Sequence, residues 1–84
     1  MIIDMNNLVI GLNDNFKTIA VVKMENKETG EEKYVVRIDF IDKTSVCLES
    51  TNKTLEESRD LLNKIKEALK ENKHYLKITT YPIL

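Results

Sequence analysis

The chain has 84 residues, of which 42% are hydrophobic and 32% charged, and its 13 basic and 14 acidic residues give a net charge of −1. We expect one folded domain spanning residues 1–84, because so short a chain buries only roughly 60% of the surface of its unfolded state and cannot support a second core. The balanced charge disfavours proteins that neutralise many nucleic-acid phosphates and proteins that imitate a nucleic-acid backbone, since both carry a large charge excess.

The composition also indicates a compartment. No stretch reaches the ~20 apolar residues that span a bilayer, and the first ten residues, which include Asp4, do not resemble a signal peptide. The lone Cys47 cannot form an internal disulfide, which is typical of a reducing environment. We therefore expect a cytoplasmic protein. Lys, Ile and Asn number 11, 9 and 8, and this bias hints at an AT-rich bacterial or phage genome.

The first half of the chain alternates with a period of two and predicts four strands. They are rich in β-branched and aromatic residues and cover 8–12 (LVIGL), 16–25 (FKTIAVVKME), 33–41 (KYVVRIDFI) and 44–50 (TSVCLES). Turn-forming segments separate them at 13–15 (NDN), 25–32 (ENKETGEE, with Gly30) and 42–43 (DK). Consecutive strands with short turns favour hairpins.

The clearest element is a helix over residues 54–72. Its apolar residues recur at helical spacing: Leu55, Leu62, Ile65 and Leu69, with Leu61 and Ala68 widening the stripe. Thr54 followed by Glu57 is a capping box, in which each side chain bonds the other residue's backbone amide. Acidic residues crowd the first turns and lysines the last, which suits the helix dipole.

After the helix, residues 75–81 (YLKITTY) return to alternation, and Pro82 ends this strand or confines it to a sheet edge. The element order is therefore β-β-β-β-α-β. Strands grouped together with one late helix predict the α+β class, here a mostly antiparallel, curled sheet of four to five strands with one amphipathic helix on one face.

No constellation of catalytic or metal-binding residues stands out. His74 is the only histidine and follows the helix, where a cationic ring suits the C-terminal carbonyls. One His and one Cys, Cys47, cannot form the usual zinc sites, and the two glycines lie too far apart for a phosphate loop. Asp39 and Asp42 are the nearest approach to paired carboxylates, and we interpret them as solvated turn residues. We expect no enzyme, no metal and no cofactor.

The strand at 33–41 raises the question of nucleic-acid recognition. Compared with the aromatic pattern of RNA-recognition sheets, it lacks the glycine and has Val35 and Arg37 at the stacking positions. We therefore assign one side of this strand to the core beneath the helix: Tyr34, Val36, Ile38 and Phe40. Arg37 and Asp39 then lie on the reverse face as a solvated charge pair.

The same alternation assigns residues of the other strands to this reverse face. It collects Lys17, Ile19, Val21 and Lys23, then Val35, Arg37, Asp39 and Ile41, then Ser45, Cys47 and Glu49. If Leu76 and Ile78 point inward together with Thr80, the last strand adds Tyr75, Lys77, Thr79 and Tyr81. A face that mixes apolar, Tyr and Arg residues is typical of interface centres. The candidate partner-binding residues are Ile19, Val21, Val35, Arg37, Ile41, Tyr75, Lys77 and Tyr81.

One helix is too narrow to cover such a sheet. Four or five strands at ~4.8 Å spacing are about 20 Å wide, whereas a helix with its side chains is ~10 Å across. Three arrangements could complete the core: the sheet curls around the helix, the N-terminal "MII" folds over the gap, or a second subunit covers it. Edge strands at 8–12 or 75–81 offer a further route to a partner.

The leading hypothesis is a small, non-enzymatic module that works by protein–protein contact, as an accessory, regulatory or inhibitor protein, with homodimerisation as one mode of action. A curled monomer with an ordinary reverse face is the plain alternative. A second functional hypothesis is weak binding of single-stranded nucleic acid through the sheet, using Lys17, Lys23, Arg37, Tyr75, Lys77 and Tyr81.

Overall fold

The structure, a computed structural model, describes residues 1–5, 8–79 and 81–83. The elements in this part of the chain are β1 (Ile2–Asp4), β2 (Val9–Gly11), β3 (Phe16–Glu25), β4 (Glu32–Phe40), β5 (Ser45–Glu49), α1 (Leu55–Lys70), β6 (Tyr75–Lys77) and β7 (Tyr81–Ile83). They form a small sheet with strand order β2-β1-β6 and a large sheet with order β3-β4-β5-β7. The predicted α+β class is confirmed, whereas two sheets replace the predicted single one, and β1 and β7 are added to the predicted order.

The start of α1 is fixed by residues that the sequence pattern identified. The Thr54 hydroxyl accepts a hydrogen bond from the Glu57 amide at 3.2 Å, as a capping box requires. The Glu57 carboxylate, however, accepts from the backbone amide of Asn52 at 2.9 Å rather than from that of Thr54. Glu57 therefore ties the loop before the helix to its first turn.

The buried stripe of α1 is centred differently from the predicted one. Its buried residues are Ser58, Leu61, Ile65 and Ala68. The predicted Leu55, Leu62 and Leu69 lie half-buried on its flanks. Ser58 tolerates complete burial because its hydroxyl donates to the backbone carbonyl of Tyr34 at 2.9 Å. This bond links the first turn of the helix to the centre of the large sheet.

A bulge in β3 determines which of its side chains face the core. Phe16 pairs with Phe40 and Thr18 with Asp39, so Lys17 is an extra residue on the β3 side. Beyond the bulge, Ile19 pairs with Ile38, and residues directly opposite in an antiparallel pair share a face. Even-numbered Phe16 and odd-numbered Ile19 thus both pack against the core.

The predicted placement of Ile19 and Val21 on the reverse face is therefore wrong. Val21 pairs with Val36, whose side chain is fully buried, and both Ile19 and Val21 pack against the core. The residues of β3 opposite the core are instead Thr18, Ala20, Val22 and Met24. The sequence pattern predicts a uniform alternation through the strand, and the bulge reverses its phase.

The chain itself covers the inner face of the large sheet. Helix α1 contacts β3 and β4. Two strands of the small sheet and the residues that follow them contribute four buried side chains to the same cluster: Ile3, Met5, Ile10 and Leu12. The second of the three predicted arrangements is thus partly right, since the N-terminal segment does complete the core. It does so as part of a second sheet. This sheet covers the gap that a second subunit would otherwise cover.

The predicted strand at 75–81 is divided between the two sheets. β6 pairs in parallel with β1, with Ile3 opposite Leu76. β7 pairs antiparallel with β5 and forms one edge of the large sheet, which fits the restriction that Pro82 imposes. Leu76 packs against the core and Ile78 is buried, so the condition on which the last strand was assigned to the reverse face holds for these two residues. Thr80, the third residue of that condition, lies outside the described residues.

Candidate interaction surfaces

The eight candidate partner-binding residues do not form one surface. Arg37 and Ile41 are exposed on and beside β4 of the large sheet, whereas Tyr75 and Lys77 are exposed on β6 of the small sheet. Ile19 and Val21 belong to the core-facing side of β3, as described above. Val35 lies on the predicted reverse face but is fully buried. For Tyr81 the structure describes only the backbone, which pairs with Glu49.

The outer side of the small sheet brings together six residues, here called the small-sheet face: Ile2, Asp4, Val9, Gly11, Tyr75 and Lys77. Strand pairing arranges them in two rows. Ile2 lies between Gly11 and Tyr75, and Asp4 lies between Val9 and Lys77. β1 and β2 lie within residues 2–11 and β6 within residues 75–77, so this face joins segments that are distant in the sequence.

The small-sheet face exposes unusually many large apolar side chains. Ile2, Val9 and Tyr75 are 46%, 60% and 53% exposed, and they account for three of the five exposed large hydrophobic residues in the described part of the chain. Of the other two, Met24 lies on β3 and Ile41 directly follows β4. Contiguous exposed apolar side chains with a polar rim are typical of interaction sites.

Tyr75 is held in place on this face by Asp4. The Tyr75 hydroxyl donates a hydrogen bond to the Asp4 carboxylate. This bond, with a smaller contribution from burial, raises the pKa of Tyr75 above its usual range, because the neutral phenol is the donor. The aromatic ring is therefore fixed beside Ile2, and less side-chain entropy remains to be lost on binding.

The small-sheet face is small compared with a standard protein interface. Three strands at ~4.8 Å spacing and three residues at ~3.3 Å rise cover about 14 by 10 Å, or roughly 140 Å². A standard protein interface buries about 800 Å² on each partner. This face alone is therefore much smaller than one side of such an interface.

The outer side of the large sheet, here called the large-sheet face, is built differently. Its polar cluster joins three residues: the Arg37 guanidinium Nε donates to Asp39 Oδ1 at 2.8 Å, and the Thr18 hydroxyl donates to Asp39 Oδ2 at 2.8 Å. The Thr18 hydrogen bond first, and Arg37 second, hold the pKa of Asp39 below its usual range. Both carboxylate oxygens are satisfied, so this cluster resembles a completed surface network more than an acid or base.

Val35 is buried on the same face and does not belong to the main core cluster. Val22 lies directly opposite on β3, and an ion pair between Lys33 and Glu49 lies beside it on β4 and β5. Long charged side chains cover apolar surface with their methylene groups while keeping their charges in water. Val35 therefore has a half-buried valine and an ion pair as its neighbours on this face.

Ile2 and Val9 were missed by the sequence reasoning, although the sequence contains a signal for them. Each precedes another apolar residue, in the pairs Ile2-Ile3 and Val9-Ile10. Adjacent residues of a strand point to opposite faces, so an apolar pair makes both faces apolar. Ile3 and Ile10 are the buried members of these pairs, and Ile2 and Val9 are the exposed ones.

A metal site and a membrane-spanning helix receive no support from the described residues. In this part of the chain, no group of three or more His, Cys, Asp or Glu side chains is placed to hold a metal ion. Nor does the described helix have the length and apolar content needed to cross a membrane. No family model, curated protein or solved structure matches the chain.

Proposed function

We propose that this protein is a small, non-enzymatic protein–protein interaction module, and that the small-sheet face is the centre of its binding surface. The observation that carries the proposal is the grouping of Ile2, Val9 and Tyr75, exposed together on one sheet face. The proposed role is that of an accessory, regulatory or inhibitor protein, with self-association as one mode of action.

The chemistry of the small-sheet face supports binding to a protein. Interface centres are depleted in charge and enriched in aromatic residues, and Tyr is among the commonest residues that dominate binding energy. Tyr75 stands beside aliphatic Ile2 in one row, while Asp4 lies between Val9 and Lys77 in the other row. Gly11 leaves the surface flat next to Ile2, with open space where a side chain would be. A partner with a complementary apolar patch could therefore approach the sheet closely.

Paired substitutions of exposed isoleucines test the location of this surface. Ile2→Asp places a charge at the centre of the small-sheet face, whereas Ile41→Asp makes the same change at an exposed position outside it. We expect cell extract to yield a reproducible partner with the wild-type chain and with Ile41→Asp, and strongly reduced capture with Ile2→Asp. Chemical denaturation should show that both variants remain folded, because both side chains are exposed.

Two outcomes would count against the proposed surface. Loss of the partner with Ile41→Asp alone would move the binding surface to the end of β4, beside Arg37. Equal capture by all three proteins would show that the small-sheet face does not take part in binding.

The alternative of single-stranded nucleic-acid binding finds less support in the arrangement of the cations. Lys23 is paired with Glu32 at 3.1 Å, and this contact raises the pKa of Lys23. Arg37 is paired with Asp39, and Lys77 lies on the other sheet. A cation track with stacking aromatics is what such binding needs. Binding of mixed oligonucleotides that weakens steeply with salt would revive this alternative.

A further inference from the structure

Three cationic side chains meet around one depression of the large sheet, where β4 turns into β5. The depression has a volume of about 430 Å³. Three cations, one carboxylate and two apolar side chains line it: Lys17, Arg37, Lys43, Asp39, Phe40 and Ile41. These charges give the depression, here called the cation pocket, a net charge of +2, whereas the whole chain carries −1. Asp42, the other carboxylate of this turn, lines a separate depression.

The bulge in β3 brings Lys17 to the cation pocket. Lys17 is the extra residue between Phe16 and Thr18, which both pair with β4. The pKa of Asp39 is lowered first by the Thr18 hydrogen bond and then by Arg37. The charge of Lys17 lowers this pKa further, so the lysine lies near the carboxylate. Bulges commonly redirect a side chain next to a functional site.

Lys43 reaches the cation pocket from a backbone conformation that lysine rarely adopts. Its φ is 72°, in the left-handed region that glycine and asparagine tolerate best. The backbone amide of Lys43 donates to the carbonyl of Phe40 at 3.1 Å and closes the turn. A glycine would form this turn with less strain but would leave no charge in the pocket. Strained backbone of this kind is concentrated at functional sites.

The cations of the pocket retain hydrogen-bond donors for a ligand. Arg37 uses its Nε for Asp39, and its terminal NH₂ groups donate to no atom of the described residues. Neither Lys17 nor Lys43 forms an ion pair within the described part of the chain. Asp39, by contrast, accepts through both of its oxygens, from Thr18 and from Arg37. Donors therefore remain available, whereas the one carboxylate is already engaged.

We propose that the cation pocket binds the phosphate group of a small phosphate monoester. Such a group carries a charge of about −1.5 to −2 near pH 7, which matches the pocket. Arg and Lys are the usual donors to phosphate oxygens. Ile41 is 66% exposed and Phe40 is half-buried at the pocket wall, so an apolar group attached to the phosphate would lie against them. This site goes beyond the proposed protein interface and does not depend on it.

The exposure of the pocket predicts weak binding that depends on salt. Each ion pair at a solvent-exposed site contributes little, because water and dissolved ions screen the charges. We therefore expect inorganic phosphate to bind with a dissociation constant in the millimolar range. Phenyl phosphate should bind more tightly, since its ring can contact Ile41. Added sodium chloride should weaken the binding of both compounds.

NMR titration of the full chain tests the site. Phenyl phosphate is added at about pH 7.5, where a phosphate monoester is largely a dianion, and dimethyl phosphate serves as a monoanionic probe at the same ionic strength. We expect saturable shifts of the backbone amides of Thr18, Lys43 and Thr44. Dimethyl phosphate should bind roughly three- to tenfold more weakly, because it has half the charge.

Two substitutions in the pocket and one outside it locate the binding. Lys17→Gln and Lys43→Gly should each weaken the binding of phenyl phosphate by roughly three- to tenfold. Lys27→Gln removes a charge from the loop between β3 and β4 and should leave binding unchanged. Lys43→Gly also removes the left-handed lysine, so its midpoint of urea denaturation should not fall below that of the wild type. A loss of binding without a loss of stability distinguishes a ligand contact from a structural role.

Several results would overturn the inference. They are shifts that do not saturate, equal binding of dimethyl and phenyl phosphate, and unchanged affinity in Lys17→Gln and Lys43→Gly. Tighter binding of a phosphoserine peptide or of a mixed oligonucleotide than of phenyl phosphate would assign the pocket to a macromolecule instead. Ile2→Asp should leave phosphate binding unchanged, so the outcome for the cation pocket is independent of that for the small-sheet face.

Discussion

The outer faces of the two sheets differ in how far their apolar side chains are exposed to solvent. On the large-sheet face, Val35 is fully buried beside the Lys33–Glu49 ion pair and the Arg37–Asp39 contact. On the small-sheet face, Ile2 and Val9 remain exposed beside Tyr75. Both faces lie on the far side of a sheet from the same core, so position in the fold does not explain the difference.

The two faces differ in the neighbours of their apolar side chains. On the large-sheet face, Lys33 and Glu49 lie beside buried Val35, and long charged side chains can cover apolar surface with their methylene groups. The small-sheet face has only Asp4 and Lys77 to serve this purpose, and Asp4 is bonded to Tyr75. Its apolar side chains are expected to contribute little to folding and to remain available for a partner.

The largest expected loss of stability separates two neighbouring isoleucines of β1, Ile3 and Ile2. Ile3 is fully buried, so Ile3→Ala should lower the free energy of unfolding by about 2–5 kcal/mol, through lost burial and the cavity that remains. Ile2→Ala, one residue away on the exposed side, should cost less than about 1 kcal/mol. Urea denaturation measures both variants. Equal losses would show that the small-sheet face also supports the fold.

A smaller difference in stability is expected between substitutions of the valines on the two outer faces. Val35→Ala should cost about 2 kcal/mol, because two buried methylene equivalents are lost. Val9 is 60% exposed, so Val9→Ala should cost at most about 0.5 kcal/mol. A similar cost for both substitutions would remove the distinction between a shielded valine and an exposed one.

The smallest effect concerns the polar cluster of the large-sheet face. Thr18→Val removes the hydrogen bond that contributes most to the lowered pKa of Asp39, so this pKa should rise toward 3.8. A carboxyl group with a lowered pKa in the folded state stabilises the protein above its unfolded pKa, and this stabilisation is lost as the pH falls through the folded value. The stability advantage of the wild type over Thr18→Val should therefore be present above pH 3.8 and shrink below it.

Carbon-detected NMR titration of the Asp39 carboxyl group measures this shift. Thr44→Val is the matched control, because Thr44 donates to Asp42 and its hydrogen bonds lower the pKa of Asp42 instead. It should raise the pKa of Asp42 and leave that of Asp39 unchanged. An unchanged Asp39 pKa in Thr18→Val would show that Arg37 alone determines it.

Patterns among neighbouring residues were enough to predict β3, the start of α1 and the buried side of β4. The bounds of β3 at residues 16–25 agree with the prediction, and α1 begins directly after the predicted Thr54 cap. Alternation in β4 also placed Val36 and Ile38 in the core, where both are fully buried. These features depend on neighbouring residues, and the sequence displays them without knowledge of the rest of the fold.

Features that depend on distant contacts were not predictable in the same way. The bulge at Lys17 becomes visible only in the pairing of β3 with β4, and it reversed the expected side of Ile19 and Val21. β1 is too short to alternate recognisably, and its parallel partner β6 lies more than 70 residues away. The small-sheet face was therefore found only in part, through Tyr75 and Lys77.

Site-specific photo-crosslinking tests the central claim most directly. A photoreactive amino acid is placed at Val9, within the small-sheet face, and in a second protein at Lys66, on the exposed side of α1. We expect a discrete protein adduct at Val9 in living cells, absent at Lys66 and lost when Ile2→Asp is added. Adducts of equal yield at both positions, or none at Val9, would contradict the assignment of the small-sheet face as the binding surface.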